Sequence, residues 1–186
     1  RRFFEHPGID IIGVLRAALK NISGQGHEGA STITMQVARN FFLSSERTFK
    51  RKINEILLAI KIENSLSKEE ILELYINQIY LGQRAFGFSA AANTYFNKSL
   101  AELNLAESAL LAGLPKAPSR YNPLVNPELA IQRQQAVLRS MLRHGYIDNA
   151  TYQIALEEAI DLRDSVSKRE LKADYVAEMV RQELYA

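Results

Sequence analysis

The sequence has no cysteine and no tryptophan. Without cysteine there is no disulfide framework, no thiolate metal site and no cysteine nucleophile. Its three histidines, His6, His27 and His144, are scattered and do not make a metal site. Glycine (9) and proline (5) are too few for a collagenous or low-complexity chain. No run approaches the roughly 18 consecutive apolar residues of a membrane span. Charge of one sign is also missing: 23 Lys+Arg against 21 Asp+Glu leave a net +2. There is no bulk drive toward nucleic acid, so any anion site must be local. What remains is a 186-residue chain, 47% hydrophobic and 24% charged, long enough to bury a sizeable core. It opens at Arg1-Arg2-Phe3-Phe4 without an initiator Met or a signal peptide and closes at Leu184-Tyr185-Ala186. We expect a piece of a longer protein, with targeting information outside it.

Apolar residues recur at helical spacing throughout, and no segment alternates with period 2 over a useful length, so the expected fold is all-α. Asp10 caps a predicted helix to about Asn21, and the Gly-rich stretch Ser23–Gly29 must be a loop. Further helices are predicted over 32–42, 46–65, 67–80, 85–95, 104–113, 126–144 and 148–160. Ser67-Lys68-Glu69-Glu70, Ser99-Leu100-Ala101-Glu102 and Asn104-Leu105-Ala106-Glu107 carry capping-box patterns. Asn126-Pro127 places an N-cap before a proline at the first helical position. In the 46–65 helix, Phe49, Ile53, Ile56, Leu57 and Ile60 share one face, and the later turns are apolar nearly all round, which predicts a buried central helix. Beyond Ile160 periodicity fades and charge rises. The domain is therefore expected to span 1–162, with a linker and the first helix of a following domain over 163–186.

Chemistry concentrates in a few places. Arg51, Lys52 and Glu55 cluster on the side of their helix away from Phe49, Ile53 and Ile60, on a face that continues as Ala59 and Ile62. The spacing allows an exposed i,i+3/i,i+4 salt bridge. It equally allows a cleft wall in which cations hold a phosphate and the carboxylate meets a sugar hydroxyl. Gly29-Ala30-Ser31-Thr32-Ile33-Thr34-Met35-Gln36 puts three hydroxyls at a loop-to-helix junction, either as simple N-caps or as a floor that binds an anion or a sugar. Asn77 is either a buried amide tying helices together or a ligand contact.

Taken together and in order, these segments resemble the glycosyltransferase domain of bifunctional class A penicillin-binding proteins, glycosyltransferase family 51. Arg2-Phe3-Phe4-Glu5-His6-Pro7-Gly8-Ile9-Asp10 resembles the tail of that family's first motif. Gly29–Gln36 resembles the second, with Ala30 for Gly and Met35 for Gln. Arg51-Lys52-x-x-Glu55 resembles the third, Glu73-Leu74-Tyr75-Ile76-Asn77-x-x-Tyr80-Leu81-Gly82 the fourth, and Glu107–Pro115 the fifth. The Glu-Asp pair that begins the family's first motif would fall immediately before Arg1. The resemblance makes that Glu the general base, so residues 1–186 alone are expected to be inactive.

The resemblance implies a lysozyme-like helical fold with a small membrane-associated lobe, working at the outer, periplasmic face of the bacterial cytoplasmic membrane. It implies polymerisation of lipid II: the 4-hydroxyl attacks the anomeric carbon of a growing glycan linked through pyrophosphate to undecaprenol, inverting it to a β-1,4 bond. By this carry-over Arg51 and Lys52 meet the pyrophosphate and Glu55 is a second carboxylate that positions substrate. Ser31, Thr32, Gln36, Arg39, Asn40 and Tyr80 line the same cleft, and Lys116 is a further donor-side candidate. A divalent cation, Mg2+ or Mn2+, is an option at the pyrophosphate; no protein-held metal is expected. Implied partners are lipid II, the membrane surface, moenomycin-type inhibitors and a transpeptidase domain, with no nucleic acid. Phe41, Phe42 and Leu43, near Arg39, Arg47, Lys50 and Arg51, are the expected membrane contact, the alternative being that they are core. Two other functions stay open: glycan cleavage by a lytic transglycosylase or lysozyme-like hydrolase, and non-catalytic glycan binding.

Overall fold

The computed structural model describes residues 3–23, 29–42 and 48–162. The Gly-rich stretch 24–28, Leu43, the predicted helix start at Glu46, Arg47, and the expected linker and helix over 163–186 lie outside the described residues. The helices are α1 (Ile11–Ile22), α2 (Ile33–Phe42), α3 (Phe49–Ser65), α4 (Lys68–Gln78), α5 (Phe88–Phe96), α6 (Leu105–Gly113), α7 (Pro127–Arg143) and α8 (Asn149–Glu157). Single 3₁₀ turns, Leu100–Glu102 and Leu114–Lys116, flank α6. Among the described residues there is no strand, and β-type pairing is confined to an isolated bridge between Tyr80 and Phe86. The all-α expectation holds. The chain divides into two compact units, residues 1–78 and 79–186.

In the first unit, local chemistry sets the helix starts. The Asp10 carboxylate accepts from the Gly13 amide at 2.9 Å. Thr48, in extended backbone, accepts from the Arg51 amide at 3.1 Å, so α3 begins at Phe49. Ser67 and Glu70 close both arms of their capping box, at 3.2 and 2.7 Å. α2 packs on α3 and α4, and α3 on α4. Phe3, Val37 and Ile71 form the buried centre, with Ile33, Ile62, Leu66 and Tyr75 against it; burial pushes the Tyr75 hydroxyl pKa up.

The orientation of α3 reverses the sequence expectation. Phe49 is 92% exposed, and Ile53, Leu57 and Ile60 are exposed as well. The buried side carries Glu55 and Ala59 instead. Small side chains explain the choice: Ala38 on α2 and Ala59 on α3 are both fully buried, and such residues let helix backbones approach closely. The fully buried central helix is therefore corrected to a helix buried along its polar-and-alanine face. Asn77 is exposed, which removes the buried-amide reading.

In the second unit, α5 starts at Phe88, later than the Ala85 predicted, because Ile79–Gly87 folds back on itself. The Leu81 amide donates to Ala85 O at 2.9 Å and the Gly87 amide to Ile79 O at 2.9 Å. Gly82 is required in this turn: its φ is +92°, and a Cβ would come within 2.6 Å of the Tyr95 hydroxyl. That hydroxyl donates to Leu81 O at 2.9 Å, and burial pushes its pKa up to about 12. Asn104 and Glu107 form a complete capping box for α6, whereas Ser99 and Glu102 open only a 3₁₀ turn. Asn126 does not cap α7 with its side chain, which donates to Arg120 O at 3.3 Å. Asp148 caps α8, accepting from the Thr151 amide at 2.7 Å. α6 packs on α7 and α8 around Ala109, Leu138 and Ala155.

Glu70, Glu102 and Asp148 are exposed, and hydrogen bonds from Ser67, Ser99 and Thr151 hold them below their ordinary values of 4.5, 4.5 and 3.8. A carboxylate with a depressed folded-state pKa stabilises the fold above its unfolded pKa, and that contribution is lost as pH falls through the folded value. The melting temperature should therefore drop between about pH 5 and pH 3. In a Glu70→Gln, Glu102→Gln, Asp148→Asn variant the drop should be shallower by calorimetry; an identical slope would show that these caps do not titrate with folding.

Candidate active site

Two turns of α3 bring Arg51, Lys52 and Glu55 onto one face. The Glu55 side chain is 1% exposed; the Lys52 ammonium lies 2.7 Å from its Oε1, and an Arg51 terminal nitrogen 3.6 Å from its Oε2. Lys52 also donates to the Ser31 hydroxyl at 2.8 Å, joining the loop before α2 to α3. This is not a solvated surface pair. A buried carboxylate without cations would carry a desolvation cost of several kcal/mol, which its two partners must offset. Lys52 stays 41% exposed, while Arg51 is mostly buried. Arg51 Nε is buried without a hydrogen-bond partner among the described residues. Two cations on one carboxylate leave one unit of positive charge, with donors free to meet an incoming anion.

The hydroxyls of the second motif separate by role. Ser31 is exposed and belongs to this cluster. Thr32 is buried: its Oγ1 accepts from the Met35 amide at 3.2 Å and donates to Gly8 O at 2.6 Å. It both caps α2 and ties the N-terminal segment down. Thr34 donates to the carboxylate of Glu63, which is also held by Lys68. Gln36 and Arg39 are half-buried and Asn40 is exposed on α2; among the described residues no hydrogen bond ties them to Glu55. Tyr80 and Lys116 belong to the second unit. There the Tyr80 ring sits 5.2 Å from that of Phe86, and the Lys116 ammonium 5.9 Å from the Tyr121 ring centre.

Among the described residues no three His, Asp or Glu side chains converge as a metal site. Both Glu55 oxygens face cations, so this donor set does not fit a protein-held divalent ion. Sequence reasoning missed the knot of His6, Thr34, Glu63 and Lys68. Its only sequence signal was a lysine at the first position of α4, inside a capping box.

With this geometry in place, comparison with known proteins is decisive for class. The Transglycosylase family pattern matches residues 1–142, and the chain belongs to that family. It is a transglycosylase domain of the class A penicillin-binding protein type, similar to penicillin-binding protein 1A of Neisseria meningitidis (serogroup A strain Z2491). That relative is 60% identical over 186 residues, covering 100% of this chain and 23% of the relative. Penicillin-binding protein 1A of Pseudomonas aeruginosa is 55% identical over 183 residues, 98% of this chain and 22% of that protein. The crystal structure of penicillin-binding protein 1A from Haemophilus influenzae matches with a TM-score of 0.56 at 42% identity, over 81% of this chain and 19% of that one. The chain thus spans less than a quarter of the length of these curated relatives.

The two hydroxyls should behave differently on substitution. Thr32→Val removes a helix cap, worth about 1 kcal/mol, and strands the buried Gly8 carbonyl, a further 1–3 kcal/mol or so. Denaturant titration should show a loss of roughly 2–4 kcal/mol in total. Ser31→Ala should leave stability within about 0.5 kcal/mol, as exposed sites do. Equal losses would mean that Ser31 is a structural residue too.

Proposed function

We propose that this domain, within its longer protein, polymerises lipid II into β-1,4-linked glycan strands for the bacterial cell wall, working with a transpeptidase domain of the same chain. The observation that supports this reading is the buried Glu55 carboxylate bracketed by Arg51 and the half-exposed Lys52. A hydrolase that only cleaves glycan handles no pyrophosphate and has no evident use for such a cationic clamp, which argues against the lysozyme-like alternative. In the reaction, the acceptor 4-hydroxyl attacks the anomeric carbon from the face opposite the lipid pyrophosphate. The new C–O bond forms as the bond to pyrophosphate breaks, and that electron pair leaves on the phosphate oxygen. The hydroxyl proton passes to a general base, a role that the family resemblance gives to the Glu opening the first motif; such assistance is typically worth about 10²–10⁴-fold.

Arg51 and Lys52 meet the charge that develops on the leaving pyrophosphate, Arg51 as a planar fork and Lys52 as a point charge. Glu55 holds both cations at fixed positions, so little reorganisation is needed as charge builds. Ser31 orients the Lys52 ammonium toward the loop. Gln36, Arg39, Asn40, Tyr80 and Lys116 are proposed as further substrate contacts on the strength of the family motifs alone.

The lipid tail requires a membrane-facing surface, since each CH₂ withdrawn from the bilayer costs about 0.8 kcal/mol. No described helix is long and apolar enough to cross a membrane. The first unit nevertheless exposes Phe41 and Phe42, which removes the core reading for these two; Leu43 lies outside the described residues. It also exposes a surface that sequence reasoning did not single out: Ile11, Leu15, Leu19 and Ile22 of α1, the last 84% exposed. Apolar side chains presented beside Arg16 and Lys20 on one helix suit the interface of an anionic bilayer, here the outer face of the cytoplasmic membrane.

In the full-length protein Glu55→Gln should abolish lipid II polymerisation. Arg51→Ala and Lys52→Ala should each weaken a phosphoglycolipid inhibitor of the moenomycin type tenfold or more, since charge-assisted contacts are worth roughly 1.5–3 kcal/mol. Unchanged affinity in both alanine variants would sink the clamp. Separately, Phe41→Ser with Phe42→Ser, or Leu15→Ser with Leu19→Ser, should cut sedimentation with anionic liposomes while leaving the melting temperature nearly unchanged. Parental liposome binding in both pairs would place the membrane contact elsewhere.

A further inference from the structure

The second unit carries a surface that its own packing does not require. Ile79–Gly87 reverses through a two-residue turn, in which the Ala85 amide donates to Gly82 O at 2.8 Å. The two central residues are Gln83, at φ +48°, and Arg84, at φ +57°. Turns with positive φ at both central positions are ordinarily filled by glycine, asparagine or aspartate, since a longer side chain is strained there. Strain kept where glycine would serve points to a use for the side chains. At the base of the turn Tyr80 and Phe86 pair across the isolated bridge, which puts their side chains on one face, with ring centres 5.2 Å apart. Both rings are exposed, Phe86 by 60%.

The loop packed on this turn is cationic. A Cβ on Gly82 would lie 3.6 Å from Pro118 O and 3.8 Å from Asn122 Nδ2, so turn and loop touch. Within the loop the Lys116 ammonium lies 5.9 Å from the Tyr121 ring centre and the Arg120 guanidinium 5.8 Å from it, both at cation–π distance. The backbone holds this arrangement: the Arg120 and Tyr121 amides both donate to Ala117 O, at 3.1 and 3.0 Å, and the Asn126 side chain donates to Arg120 O. Arg84, Lys116 and Arg120 are exposed, and among the described residues none of them meets a carboxylate. Three unneutralised cations and an exposed aromatic pair therefore sit on two elements in contact.

We propose that this surface binds a β-1,4-linked saccharide bearing carboxylates, such as the peptide-carrying glycan of the cell wall; the identity of that ligand rests on the function proposed above. The apolar face of a pyranose ring lies against aromatic rings, which Tyr80 and Phe86 present. Carboxylates of the ligand are met by Arg84 and Arg120 as planar forks and by Lys116 as a point charge. Aromatic rings alone would take a neutral sugar, and cations alone a free anion; the two together select an acidic saccharide. All of these residues belong to the second unit, so binding here is separable from the Arg51–Lys52–Glu55 clamp of the first.

The test is calorimetric titration of the full-length protein, its transpeptidase site acylated with penicillin, with soluble, lipid-free glycan oligomers carrying their stem peptides. Phe86→Ala, and Arg84→Gly combined with Arg120→Ala, should each weaken binding roughly tenfold or more. The double variant should melt no lower than the parent, because glycine relieves the positive φ at position 84. Moenomycin affinity, which reads the clamp, should stay within about threefold in both, as expected for independent sites. Chitotetraose, a neutral β-1,4 analogue, should bind roughly tenfold more weakly than the oligomers, having no carboxylate for the cations. Millimolar inorganic pyrophosphate should not displace the oligomers. No binding by the parent, or parental affinity in both variants, overturns the proposal. Equal affinity for chitotetraose would leave the cations without a role, and displacement by pyrophosphate would assign them to a phosphate; either result overturns it too. So does a lower melting temperature in both variants, which would make these side chains structural. If the parent fails to polymerise lipid II, the functional reading is what fails, because oligomer binding is read without turnover.

Discussion

The constraint on which the first unit turns is the burial of the Glu55 carboxylate. A charge taken out of water has to be met by opposite charge and by hydrogen bonds. Here Lys52 lies one turn before it and Arg51 four residues before it on the same helix, so the compensation is built into a single element. That arrangement dictates which side of α3 faces inward, and which side chains are left facing out. It also leaves the cation pair with more positive charge than the carboxylate can neutralise. An anion is the natural chemical complement of such a site.

The consequence for packing is a helix turned against its own hydrophobic pattern. Exposing Phe49, Ile53 and Leu57 forgoes apolar burial that would ordinarily favour a soluble fold. α1 presents the same picture, with Ile11, Leu15, Leu19 and Ile22 exposed. Under the proposed function, with a substrate anchored in a bilayer, these residues would have a second apolar phase to enter. In the second unit α6 and α8 pack with α7 around Leu138, and the glycine turn is locked by the Tyr95 hydroxyl.

Polar contacts of long sequence separation tie the first unit together. Thr32 to Gly8, Lys52 to Ser31 and Lys68 to His6 each join segments that no local pattern connects. Of these, the Lys52–Ser31 bond also fixes the geometry of the clamp. A motif that looks uniform in sequence is split by this arrangement. Neighbouring hydroxyls face opposite ways, Ser31 toward the Lys52 ammonium and Thr32 toward the Gly8 carbonyl.

Sequence alone determined what is local. Helix starts at Asp10, Ser67, Asn104 and Asp148 were legible because a short polar side chain bonds an amide two or three residues on, and nothing distant is needed. The all-α class followed from period, and the shared face of Arg51, Lys52 and Glu55 from their i,i+1,i+4 spacing, with the ordered motifs pointing to the family. Tertiary structure alone decided which face of α3 is inside, because hydrophobic pattern assumes water as the only alternative to the core. It decided that Asn126 bonds Arg120 instead of capping α7, since a loop carbonyl competes for that amide. It also decided that Lys68 reaches the His6 carbonyl: a contact 62 residues distant leaves no trace in local spacing, and only the folded chain brings its two ends together.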